Sequence, residues 1–209
     1  ASWVRPPGAR WCAFELAVLD AAGHLFDLPV SHWLGPVWAP VLTYDAVVPF
    51  GTLDAGVELA RNLVRIPVVG AGQSVMHLGV QLSNRLGVIA YEEKSIAFMR
   101  KQMHAWRVAD SVVGMRSVEI PLPESTKNRD AMRERFIQVG RDLIDNHDAE
   151  IIVPMGVTMV PVQYSTAEFE KELGVPVMDA LKTSIQTAEM LVRIGLTHSV
   201  RTYPRPPAS

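Results

Sequence analysis

Three consecutive β-branched residues, Ile151-Ile152-Val153, run without a polar interruption into Pro154-Met155-Gly156-Val157-Thr158. An apolar run of that length, stopped by Pro and Gly, is how a strand buried on both faces of a parallel sheet delivers its C-terminal end to a loop. The residues after the loop keep the pattern. A polar helical stretch, Glu168 to Leu173, leads to the short apolar segment Gly174-Val175-Pro176-Val177. Beyond it lies a helix in which Leu181, Ile185, Ala188 and Val192 recur at helical spacing. This β-α-β-α unit points to an open α/β architecture, and ligands in such sheets bind outside the C-terminal ends of the strands.

The same alternation extends upstream. Helix Leu53 to Leu63 places Val57, Ala60 and Val64 on one face, strand Ile66 to Val69 comes after it, and Gly70-Ala71-Gly72-Gln73-Ser74 turns into a helix running through Leu82. Strand Gly87 to Tyr91, a helix from Ser95 to Trp106 with Met99, Met103 and Trp106 inward, and strand Val112 to Ile120 come next. After the turn Pro121-Leu122-Pro123, a long helix from Asn128 to Asp145 carries Met132, Phe136, Val139 and Leu143 on its buried face. Strand-helix alternation at this pace predicts open parallel sheets with right-handed crossovers and flanking helices.

The ends read differently. Residues 1–40 form a helical N-terminal segment, with a helix predicted over Trp11 to Leu25, and Val41 to Phe50 reads as a strand. Residues 41–200 make the α/β domain, as one body or two small lobes, and 201–209 are a Pro-rich tail expected to be disordered or draped over a neighbour.

Composition narrows the function classes. A formal net charge of -2 and 20% charged residues give neither a nucleic-acid footprint nor a polybasic membrane patch, so the expected partner is a small molecule. No apolar run reaches the roughly 18 residues of a membrane span, and the single cysteine, Cys12, fits a reducing compartment, so the expectation is a cytoplasmic protein. The six histidines show no ligand-type spacing, and no metal is expected.

The wording of the C-terminal unit, Glu172 to Asp179 (ELGVPVMD), together with Leu53 to Gly72 and Leu86 to Ser95, resembles the aspartate/glutamate/hydantoin racemase family over roughly residues 50 to 198. The resemblance implies an isomerase without a cofactor, in which two cysteines flank the substrate's Cα. One thiolate removes the proton and the other thiol returns one on the opposite face. The family's cysteine positions fall at Pro49 and Met155, neither of which can carry a proton. A second phrase, Ala9 to Gly35 with Val41 to Tyr44, resembles a fragment of the enolase superfamily, which suggests a chimeric chain. That fragment includes none of the superfamily's Mg²⁺-binding carboxylates or lysine bases.

The strand-to-helix loops supply the candidate site. Phe50-Gly51-Thr52, Gly72-Gln73-Ser74 and Gly156-Val157-Thr158 each come after a predicted strand and aim backbone N–H groups and hydroxyls toward one place, an arrangement suited to a carboxylate. Asp179 stands after the last strand as a helix cap that could also reach ligand. Thr52, Thr158 and His77 are the candidates for chemistry, and Cys12 reads as a small buried hydrophobe away from the loops. These residues are compatible with three functions: a racemase-type enzyme acting on a small carboxylate or amide such as an amino-acid derivative or hydantoin; a non-catalytic binder of such ligands, or a subunit-interaction protein, that keeps the cleft without the thiols; and a lyase or hydrolase using the same cleft. The family's opening half-lobe has no counterpart before Val41, which would leave apolar surface uncovered and predicts a homo-oligomer.

Overall fold

The computed structural model describes residues 53–121, 124 and 127–204. The N-terminal helix, the strand Val41 to Phe50, the enolase-like phrase, Cys12 and the last five residues of the tail lie outside the described residues. Among those described, the elements run α1 (Leu53–Leu63), α2 (Ala71–Leu82), β1 (Leu86–Ala90), α3 (Glu93–Ala105), β2 (Val112–Ser117), α4 (Arg129–His147), β3 (Ile151–Pro154), α5 (Thr166–Leu173) and α6 (Ala180–Arg193). The three strands are parallel, in the order β2-β1-β3. A single parallel bridge between Ile152 and Val177 extends the sheet toward the ELGVPVMD segment, with Ile152 N donating to Pro176 O and Met178 N to Ile152 O.

Because β2 and β3 flank β1 on opposite sides, right-handed crossovers put α3 and α4 on opposite faces of the sheet. The packing obeys that rule. Leu86, Val88 and Ala90 of β1 join Val75, Met76, Met99 and Met103 in one core. Ile89 and Ile152 join Met132, Phe136, Leu143 and Phe169 in the other. All five residues of β1 are buried, as expected of a central strand covered on both sides. Phe136 and Phe169, both fully buried with ring centroids 4.1 Å apart, tie α4 to α5, and truncating either to Ala would cost about 3–5 kcal/mol.

Local signals set the helix ends. Asn128 caps α4, its side chain accepting from Ala131 N at 3.3 Å. Ser165 and Glu168 form a capping box on α5, which closes on Gly174 at φ 73°. No helix of the described residues is long and apolar enough to cross a membrane.

Two expectations are corrected. Ile66 to Val69 is not a strand. Val68 finds side chains instead of a ladder, its N donating to His198 Nε2 at 2.6 Å and its O accepting from Arg61 Nε at 3.1 Å, and just before the segment Thr197 Oγ1 donates to Arg65 O at 3.1 Å. The tail, as far as Pro204, packs on its own chain. Tyr203 receives hydrogen bonds from Arg61 Nη1 and Arg65 Nη1 at 3.2 Å each, and its ring lies under the Arg61 guanidinium. A further element has no signal in the sequence pattern: Thr158–Gln163 forms a short helical turn broken at Val160, where φ and ψ are -138° and 125°.

Candidate functional site

All three parallel strands end on one edge, and the loops after β1 and β3 meet there. The amide of Met155 donates to Ile89 O at 2.8 Å, which carries the β1–β3 pairing past the end of β3. The next residue, Gly156, lies flat on Tyr91. A Cβ at Gly156 would overlap Tyr91 Cε2 and sit 3.0 Å from Cζ, so no side chain fits at this position. Glycine lets the backbone approach an aromatic face this closely.

Tyr91 is 5% exposed, and its hydroxyl is buried without a hydrogen-bond partner of good geometry. Burial pushes its pKa up to about 12, against the opposing influence of the Met159 amide and the Thr158 hydroxyl beside it. The phenol is therefore a proton donor at neutral pH rather than a base. Sequence reasoning places Tyr91 only as the last residue of a strand. The signal that could have found it is position: a hydroxyl-bearing aromatic at the C-terminal end of the central strand of an α/β sheet.

The N-terminus of α2 forms the neighbouring wall. Its cap, Gly70, has extended backbone and no side chain to offer. A Cβ at Gly72 would lie 3.1 Å from Met155 Cε and 3.1 Å from Trp106 Cη2, while Ala71, Met155 and Val157 pack on the same core. The structure thus brings Gly72 and the Met155–Val157 loop together, through apolar contact. The polar groups of this wall turn back on the protein. Gln73 Oε1 accepts from Arg61 Nη2 at 2.9 Å, and Ser74 Oγ donates to Gly70 O at 2.8 Å. His77, expected near the cleft, is exposed and bonds through Nε2 to Trp106 O at 3.1 Å, which ties it to the far end of α3. Pro49, Phe50, Gly51 and Thr52 lie outside the described residues.

Asp179 is the N-cap of α6, its side chain accepting from Lys182 N at 2.8 Å. It borders a shallow open hollow of about 290 Å³ along α6, lined also by Leu181 and Ile185. At the β2 end, Glu119 sits at φ 55° and accepts from Ser117 Oγ and, at 2.8 Å, from Glu93 N. These two bonds, Ser117 first, hold the Glu119 carboxyl below its ordinary pKa. Ser95 Oγ donates to Glu92 O at 2.6 Å inside the first turn of α3. Among the described residues, no group of three or more His, Cys, Asp or Glu side chains is placed to hold a metal.

The model of the Asp/Glu/Hydantoin racemase family matches residues 39–188, well over half of the chain. The chain belongs to this family. It is similar to hydantoin racemases of Pseudomonas sp. (strain NS671), 27% identical over 154 residues, and of Paenarthrobacter aurescens, 25% identical over 158 residues, each match covering 73% of this chain. It spans 61% and 64% of the length of those two relatives. The fold is that of the allantoin racemase from Pseudomonas fluorescens, with a TM-score of 0.69, 21% identity, and coverage of 73% of this chain and 64% of that one. The Klebsiella pneumoniae allantoin racemase gives a TM-score of 0.69 at 20% identity, covering 75% of this chain and 63% of that chain. This family member thus places Met155 and Gly156, against Gly72 and Tyr91, at the strand-end edge where ligands of α/β sheets bind.

Proposed function

We propose that this family member acts on a small carboxylate or amide, an amino-acid derivative or hydantoin, as a racemase-type isomerase that moves a proton at the carbon beside the carbonyl without a cofactor. The observation that carries the reading is the family match over residues 39–188, supported by relatives that are hydantoin racemases. Such chemistry needs one group to take the proton and another, on the opposite face, to return one. The resemblance puts one thiol position at Met155, whose thioether has no proton to exchange, and the other at Pro49. The acid and base must therefore be other groups. Thr52 remains a candidate, while the Trp106 hydrogen bond of His77 draws it away from the strand ends.

A second reading, a binder of the same ligands that does no chemistry, is favoured by one observation: Met155 fills the space beside Gly72 where a proton-transferring group would stand. A single cysteine fits work in the reducing cytoplasm, and exposed apolar side chains on α2 and α6 fit assembly into a homo-oligomer.

Incubation with L-5-methylhydantoin in D₂O separates these readings, with NMR tracking loss of the C5 proton and polarimetry tracking rotation. Exchange and loss of rotation faster than in buffer support the isomerase. Saturable binding with neither supports the binder, and absence of both binding and exchange overturns the assignment.

A further inference from the structure

Helix α6 buries Ala180, Thr183, Ser184 and Ala188 and keeps its other face open, where Lys182, Gln186, Met190 and Arg193, all exposed, follow one another at the spacing of a single stripe. Two shallow hollows lie along the helix, of about 290 and 110 Å³. Leu181 and Ile185 line the first, Met190 and Ile194 the second, and Gln186 lines both. The charges are arranged symmetrically about Gln186: Asp179 stands seven positions before it and Arg193 seven after, Lys182 four before and Glu189 three after. Each charge thus has a counterpart of opposite sign at nearly the same distance on the other side. Neither pair closes within the helix, since Asp179 and Arg193 are about 21 Å apart along its axis and Lys182 and Glu189 about 10 Å. Among the described residues Lys182 and Arg193 form no ion pair, and Glu189 Oε2 is held by Gln186 Nε2 at 2.9 Å.

We propose that the open face of α6 is a self-recognition surface on which a second copy of this chain docks, the two α6 helices running antiparallel about a twofold axis at Gln186. The inference rests on the homo-oligomer given under the proposed function and assigns it an interface and a symmetry. In this arrangement Asp179 meets the partner's Arg193 and Lys182 meets the partner's Glu189, and the twofold axis makes each contact occur twice. A parallel pairing in register would instead set Asp179 on Asp179 and Lys182 on Lys182. Antiparallel helices also oppose their macrodipoles favourably. The affinity comes from covering the apolar lining of the hollows, Leu181, Ile185 and Met190 among it, while the exposed charges choose the partner and the register.

Sedimentation velocity over a micromolar concentration series tests this on the wild type, Lys182→Glu, Glu189→Lys and an equimolar mixture of the two variants, with thermal midpoints recorded. Both substitutions suit their places in the helix, an acid in the first turns and a base further along, so folding should hold. Each variant alone sets like charges against each other twice and should need about tenfold or more higher concentration to associate as the wild type does. In the mixture every contact between unlike chains is again between opposite charges, so association should return to the wild-type range. Variants that associate as the wild type does, or a mixture no better than its components, overturn the inference while leaving the homo-oligomer standing. A monomeric wild type overturns both. Should either variant not fold, Arg193→Glu takes its place, and association equal to wild type overturns the inference.

Discussion

Gly156 rests against the ring of Tyr91 so closely that a single added carbon at Gly156 would overlap Cε2. The ring cannot retreat easily, because Tyr91 sits in the core that also holds Met159 and Val160, both fully buried. Gly156→Ala should therefore destabilise the protein by about 1–3 kcal/mol through overpacking. Shortening the neighbour in the double variant Gly156→Ala with Tyr91→Leu should recover part of that loss. Chemical denaturation of both variants checks this, and a Gly156→Ala protein as stable as wild type would contradict the packing described.

Whether an element is legible in the sequence depends on where each group's partner lies. β1, β3 and α4 are readable because their partners are generic: Val88 and Ile152 need only apolar cover, and Met132, Phe136, Val139 and Leu143 repeat at helical spacing whatever they pack on. Ile66 to Val69 misleads for the opposite reason. An apolar run of four reads as a strand, but its hydrogen bonds go to Arg61 and to His198, a partner 130 positions away that no local pattern reveals. The same distinction runs through the candidate site. Turn chemistry locates the loops at Gly72 and Gly156, while the inward bonds of Gln73 and Ser74 and the closeness of Tyr91 to Thr158 are matters of rotamer and tertiary contact.

The His198 contact should make the C-terminal segment sensitive to acid. Burial first, then the nearby Arg61 charge, hold the His198 pKa below its ordinary 6.5, and the Val68 N–H needs an unprotonated Nε2 as acceptor. A folded-state pKa below the unfolded value means that the unfolded chain binds more protons in the window between them. The stabilisation is therefore complete above pH 6.5 and is lost as pH falls through that window. Thermal midpoints of wild type and His198→Gln, measured from pH 7.5 down to 5, should diverge least at the acid end. Parallel curves across the range would show that His198 does not carry the effect.

Leu78 and Leu82, one turn apart on α2, are 36% and 62% exposed, and Met190 and Ile194, one turn apart at the end of α6, are 51% and 57% exposed. The two helices pack on each other. Apolar side chains recurring along neighbouring helices form a surface that association would cover. Wild type should self-associate at micromolar concentration in light scattering, and Leu82→Glu with Ile194→Glu should shift the mass toward the monomer with little change in folding. A monomeric wild type would remove the basis for the expected homo-oligomer.

Met155 offers a direct test of the chemistry. Its side chain reaches Gly72 from the loop after β3, at the position where the family resemblance implies a thiol. Met155→Cys would put a proton-carrying group there and leave a small void beside Trp106, at a stability cost of about 1–2 kcal/mol. A lone thiolate can remove the C5 proton of L-5-methylhydantoin and return a deuteron only to the same face. Deuterium exchange should therefore rise over wild type by about tenfold or more near pH 8.5, where a free thiol is about half ionised. Optical rotation should decay far more slowly than exchange, because no second group was added on the opposite face. Exchange unchanged in a folded variant whose new thiol reacts with an alkylating agent would mean that residue 155 does not face the ligand's Cα.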